Sequence, residues 1–201
     1  VPREAARISA RSFTLAWLSL LIAVILLYIA TGDWYIHSNM SDDNAINYGM
    51  RLCINLLIVL AVIIPAAQFP FQGWLIESVA APTPVSAIMH AGIVNAGGVI
   101  LTRFSPVFND EIAISLLLII ASISVLLGSG ISLVHVDYKR QLVGSTISQM
   151  GFMLVQCALG AYSAAIVHLI LHGVFKATLF LQSGSVVKRF NIPTPPSVKK
   201  S

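Results

Sequence analysis

Ala164–Val187 reads AAIVHLILHGVFKATLFLQSGSVV, an apolar run that carries His168, His172 and Lys176 in its interior. About 20 such residues make a helix long enough to cross the ~30 Å hydrocarbon layer of a bilayer. Residues four apart on an α-helix are neighbours on one face, since each such step turns only about 40° and rises about 6 Å. The three groups therefore form one polar stripe. A lysine at mid-membrane costs about 2.5–3.5 kcal/mol on insertion scales, so Lys176 is expected to face protein or water. Such a stripe either hydrogen-bonds neighbouring helices or hands on protons. Imidazole titrates near neutral pH and can exchange protons with an amine held away from bulk water, and three groups in register favour the second reading.

Of the 201 residues, 57% are hydrophobic and 10% are charged, where a soluble domain averages about 25% charged. This composition reads as an integral membrane protein in contact with a lipid bilayer. The chain opens on Val1 and shows no basic, then apolar, then small-residue cleavage pattern, so an excerpt of a longer polypeptide is expected. The net charge of +4 does not point to nucleic acid, because the basic residues are not grouped with exposed aromatics. Cys53 and Cys157 fall inside apolar segments, match no metal-ligand spacing and read as small hydrophobes. No glycine-rich phosphate loop, zinc spacing or nucleophile elbow is present. No metal site and no cofactor are expected in this chain.

Six apolar segments are long enough to cross, near residues 13–31, 50–68, 84–104, 112–134, 142–160 and 164–187. Their apolar runs are continuous, not alternating, which favours helices over a barrel. The expected fold is an all-α, polytopic transmembrane helix bundle of about six crossings, with a broken helix around residues 65–84. The expected organisation is a cytoplasmic segment 1–12, a transmembrane domain 13–187, and a cytoplasmic tail or linker 188–201. Basic residues favour the cytoplasmic side. With the N-terminus inside, Arg3, Arg7, Arg11, Lys139, Arg140, Lys188, Arg189, Lys199 and Lys200 all fall inside, against Arg51 and Arg103 outside. The outer loops then hold Asp33, Asp42, Asp43, Asp110 and Glu111.

The expected break is written in Pro65, Gln68, Pro70, Gly73 and Trp74, followed by Pro82, Thr83 and Pro84. Prolines remove backbone donors, and broken helices at membrane depth often line transporter sites. The alternative is a plain inner loop with an interfacial tryptophan. His90 and Asn95 lie among Ala91, Gly92, Ala96, Gly97 and Gly98, where small residues admit a close neighbour and the polar pair needs partners. Serines and glycines of the fourth segment read as helix packing. Asp137, Lys139 and Arg140 mark the next inner boundary, and Ser145, Thr146, Ser148 and Gln149 follow on one face. These either carry water toward Lys139 or tie helices together. The tail from Asn191, with three prolines, reads as an extension or linker.

The runs QFPFQGWLIESVAAPTPVSAIMHAGIVNAGG (68–98), DYKRQLVGSTISQMGFM (137–153) and HLILHGVFKATLFLQSGS (168–185) resemble the antiporter-like membrane subunits of the complex I and Mrp antiporter superfamily. The resemblance spans nearly the whole chain and is similar to subunit 5 of NADH-quinone oxidoreductase. HAGIVNAGG and TRFSP resemble its Dab-type branch, the membrane subunit of an inorganic-carbon pump. The resemblance implies a proton path through Lys139, His168, His172, Lys176 and His90. It also implies that Gln68 and Pro70 shape the helix break, with Pro82 and Pro84 in the turn after it. One position departs from the family: a lysine usual three residues before the glutamine is Pro65 here, and its acidic partner would lie upstream of Val1.

By the Dab-type resemblance, the chain would serve proton-coupled uptake of carbon dioxide or bicarbonate at a bacterial plasma membrane, beside a peripheral, zinc-containing, carbonic-anhydrase-like partner. The alternative is a subunit of an NADH-quinone oxidoreductase or an Mrp-type Na+/H+ antiporter, with other membrane subunits as partners. Any NADH-quinone oxidoreductase activity would then reside in those partners. A third reading is a scaffold whose channel has decayed, with Pro65 as its support.

Overall fold

The computed structural model describes residues 2–32, 36 and 47–189, and they are almost entirely helical. Asp33, Asp42, Asp43, Lys199, Lys200 and the tail from Asn191 lie outside the described residues. The helices are α1 (Pro2–Thr31), α2 (Tyr48–Ile63), α3 (Gly73–Glu77), α4 (Thr83–Ala91), α5 (Ala96–Phe104), α6 (Glu111–Val134), α7 (Tyr138–Ala158) and α8 (Tyr162–Arg189). Together they form a polytopic transmembrane helix bundle. Arg3–Thr31, Thr83–Phe104, Glu111–Val134 and Tyr162–Gln182 are each long and apolar enough to cross a membrane, and Tyr48–Ile63 is a shorter apolar helix. The more polar α7 is sheltered between α6 and α8 and buries, among others, Thr146, Ile147, Met150, Met153 and Leu154.

Local chemistry sets the ends. Asp110 caps α6 by accepting from the amides of Ile112 and Ala113 at 3.0 and 3.2 Å. Asp137 caps α7 through the Lys139 amide at 3.0 Å. Such caps satisfy amides that the first turn leaves without partners. Gly160, at φ +76°, closes α7 in a left-handed conformation open to glycine at little cost.

Three boundaries differ from the sequence reading. The first helix is continuous from Pro2, so Arg3, Arg7 and Arg11 sit on helical turns that precede the apolar segment. The second stops at Ile63, two residues before Pro65, and the chain then turns through Ala67, at φ +53°. Beyond it come α3, a 3-10 turn at Ser78–Ala80, and α4, which opens at Pro82 and Pro84 where the sequence places the start of the third segment. A further interruption lies inside the third segment, where the 3-10 turn Ile93–Asn95 separates α4 from α5.

Trp74 anchors the core at the break. It is fully buried, donates Nε1–H to Ile64 O at 2.7 Å and meets Phe13 edge-on at 4.8 Å. Elsewhere glycines bring backbones together: a Cβ on Gly97 would lie 2.8 Å from Val62 O. Ile119, Leu126, Leu171 and Val174 stay exposed on the outer faces of α6 and α8, as membrane-facing side chains do.

Candidate functional site

The polar stripe of α8 turns inward. His172 and Lys176 are buried, at 6% and 2% exposure, and His168 is half-buried. Val174 on the other face of the same turns is exposed, and so are Leu171 and Phe175, which flank the stripe. The helix is thus oriented by the cost of placing an ammonium in lipid.

Lys176 reaches α7. Its Nζ donates to Leu142 O at 3.1 Å and to Ser145 Oγ, so both acceptors are neutral oxygens. Ser145 Oγ in turn donates to Leu142 O at 3.0 Å, and Thr146 Oγ1 to the same carbonyl at 2.8 Å. Thr146 Oγ1 also meets His90 Nδ1 at 3.2 Å. A continuous set of hydrogen bonds therefore joins His90 on α4 to Lys176 on α8 through the first turns of α7. Toward the other end of α8, His168 and His172 have ring centroids 6.2 Å apart, and His168 Nδ1 meets Gln156 Oε1 at 3.2 Å.

A cavity of about 500 Å³ runs along this contact, lined by Ser145, Gln149, His168, His172 and Lys176 with Leu171, Phe175 and Leu179. Both ring nitrogens of His172, Nε2 of His90 and Oδ1 of Asn95 are buried and make no hydrogen bond to protein. Buried polar atoms of this kind are ordinarily satisfied by internal water. Gly173 admits the close crossing of α4 and α8, since a Cβ there would stand 3.0 Å from Ala91 O.

The other residues singled out in the sequence lie apart from the cavity wall. Half-buried Lys139 donates Nζ–H to Ala81 O at 3.3 Å, joining the start of α7 to the turn before α4. Asp137 acts as the α7 cap. Gln68 is buried, and its Nε2 donates to Ala66 O at 2.6 Å and Ile147 O at 3.3 Å, pinning the turn after α2 against α7. Pro65 is buried just past α2, whereas Pro70, Pro82 and Pro84 are exposed. Among the described residues no group of three His, Cys, Asp or Glu is placed to hold a metal.

Two members of the site escaped the sequence reading. Gln156, the partner of His168, had a signal: a polar amide near the end of an apolar helix. Phe180, whose ring stacks on His90 at 4.3 Å and 18°, had none beyond its place one turn after Lys176.

Residues 2–194 match the transmembrane family described as NADH:quinone oxidoreductase/Mrp antiporter. The chain is 63% identical to the probable inorganic carbon transporter subunit DabB of Bacillus anthracis, with 100% of this chain and 40% of that protein covered. It is 66% identical to the DabB of Bacillus subtilis (strain 168), covering 96% and 39%. It spans about two fifths of the length of these relatives. Among solved structures, the Mrp complex from Dietzia sp. DQ12-45-1b superposes with a TM-score of 0.85 at 33% identity, covering 96% of this chain and 22% of the matched one. The chain belongs to the NADH:quinone oxidoreductase/Mrp antiporter transmembrane family.

Proposed function

We propose that this chain is the proton-handling part of a membrane subunit in an inorganic-carbon uptake complex of a bacterial plasma membrane. The identity of 63–66% to two DabB subunits carries the choice of transported species. The buried Lys176, one helical turn from His172 on the wall of the same cavity, supports the coupling of uptake to protons. In this reading protons move in steps among His168, His172, Lys176 and His90, with water in the cavity as bridge and Lys139 as the link to the inner surface. The carbon chemistry belongs to a peripheral, zinc-containing, carbonic-anhydrase-like partner.

The deciding substitution is Lys176→Met, which keeps the side-chain length and removes the charge. In the full-length subunit with its partners it is expected to leave membrane insertion and assembly intact and to abolish bicarbonate or carbon dioxide uptake and growth in air. Normal uptake by an assembled variant would falsify the reading.

The superposition on the Mrp complex favours a second reading, a cation/proton antiporter subunit. Co-purification separates the two. One large soluble, zinc-containing partner marks the carbon pump, and several small membrane subunits mark the antiporter.

A further inference from the structure

Thr146 stands where the two arms of the site meet. Its hydroxyl donates to Leu142 O at 2.8 Å, and a carbonyl oxygen only accepts. A threonine hydroxyl has a single proton. Its 3.2 Å contact with His90 Nδ1 therefore coexists with that bond only if the ring nitrogen supplies the hydrogen. Neutral His90 is then the Nδ1–H tautomer, and its Nε2 is a bare lone pair, buried and without a protein partner. Phe180, itself 1% exposed, stacks on the ring at 4.3 Å, so the imidazole cannot turn over without displacing it.

The other arm closes the route from the far side. Lys176 Nζ donates to Leu142 O and to Ser145 Oγ, whose own proton also goes to Leu142 O. Lysine, serine and threonine thus point hydrogens at one carbonyl oxygen, which has none to pass on. A proton on Lys176 cannot reach His90 through Thr146, and a proton on His90 cannot leave by Nδ1.

We infer that Thr146 is a positioning residue that locks His90 in the Nδ1–H form, so that His90 gains and loses a proton at Nε2 alone. The histidine is a one-sided store, not a through-carrier. On loading, an arriving proton bonds to the Nε2 lone pair and gives an imidazolium whose Nδ1–H stays on Thr146. On discharge the same Nε2–H bond breaks and the neutral ring returns. The lock stands on geometry alone, while its consequence for transport rests on the relay proposed above.

Solid-state NMR of the full-length complex in bilayers, with 15N-labelled histidine, tests it. His90 signals are identified by their loss in His90→Gln. The neutral ring is expected to be protonated at Nδ1 in the wild type and in Thr146→Ser, and to shift toward the Nε2–H tautomer in Thr146→Val. Uptake should fall about tenfold or more in Thr146→Val, up to the roughly 10²–10⁴-fold that a positioned proton-transfer group contributes, and recover in Thr146→Ser. An Nε2–H ring in the wild type or in Thr146→Ser overturns the lock, as does an Nδ1–H ring unmoved by Thr146→Val. A shifted tautomer with full uptake overturns the one-sided store. Full uptake in Lys176→Met sinks the relay itself but leaves the NMR result standing, so the two failures are told apart.

Discussion

The two faces of α7 meet their neighbours in opposite ways. Toward α6, a Cβ on Gly128 would lie 2.5 Å from Ser148 N and one on Gly144 would lie 2.7 Å from Ser132 N, so the backbones touch. The hydroxyls of Ser129 and Ser148 meet at 3.0 Å across the same seam. Toward α8, a cavity of about 500 Å³ opens between the helices, lined by His168, His172 and Lys176 together with Leu171, Phe175 and Leu179. Small residues remove the space in which water could stand, whereas the cavity leaves the buried His172 ring nitrogens without a protein partner. One helix thus serves as a sealed wall on one side and as the floor of a cavity that holds ionisable groups on the other.

Three substitutions grade this contrast. Gly128→Val drives carbon into the Ser148 amide, and overpacking here, against backbone that cannot swing aside, falls at the top of the usual range, about 3 kcal/mol. It should abolish the monodisperse peak of the detergent-solubilised protein in size exclusion, and a wild-type profile would show that the seam can open. Ser145→Ala takes from Lys176 one of its two acceptors and should lower stability by about 1.5–3 kcal/mol, the range for a hydrogen bond to a charged group, while leaving the seam intact. Thermal unfolding followed by a thiol-reactive dye reads this, and an unchanged midpoint would mean that water replaces the serine. Phe175→Ala, at a side chain 60% exposed, should change stability by less than about 0.5 kcal/mol. A larger loss in the full-length protein would show that another element closes the cavity at that point.

The inward turn of Lys176 was legible in the sequence because one physical cost, an ammonium in hydrocarbon, decides it. The start of α1 was not. Arg3, Arg7 and Arg11 mark where apolarity ends, but helix formation continues through Glu4, Ala5 and Ala6, which favour helix in water as well. The interruption at Ile93–Asn95 was hidden for a different reason. Gly92, Gly97 and Gly98 signal close packing, and whether the chain stays helical there depends on what approaches, here Gly173 of α8. His90 read alone was ambiguous, since its meaning comes from Thr146 and Phe180, which are 56 and 90 residues away in the chain. No local pattern carries a pairing at that range.

The Leu142 carbonyl, which takes hydrogens from Lys176, Ser145 and Thr146, belongs to the main chain. An alanine scan would change the leucine and leave that oxygen in place, so it would score the position by its side chain and pass over the acceptor. Only an amide-to-ester replacement, which weakens the oxygen as an acceptor without touching any side chain, would reveal how much of the site hangs on an atom that the genetic code cannot edit.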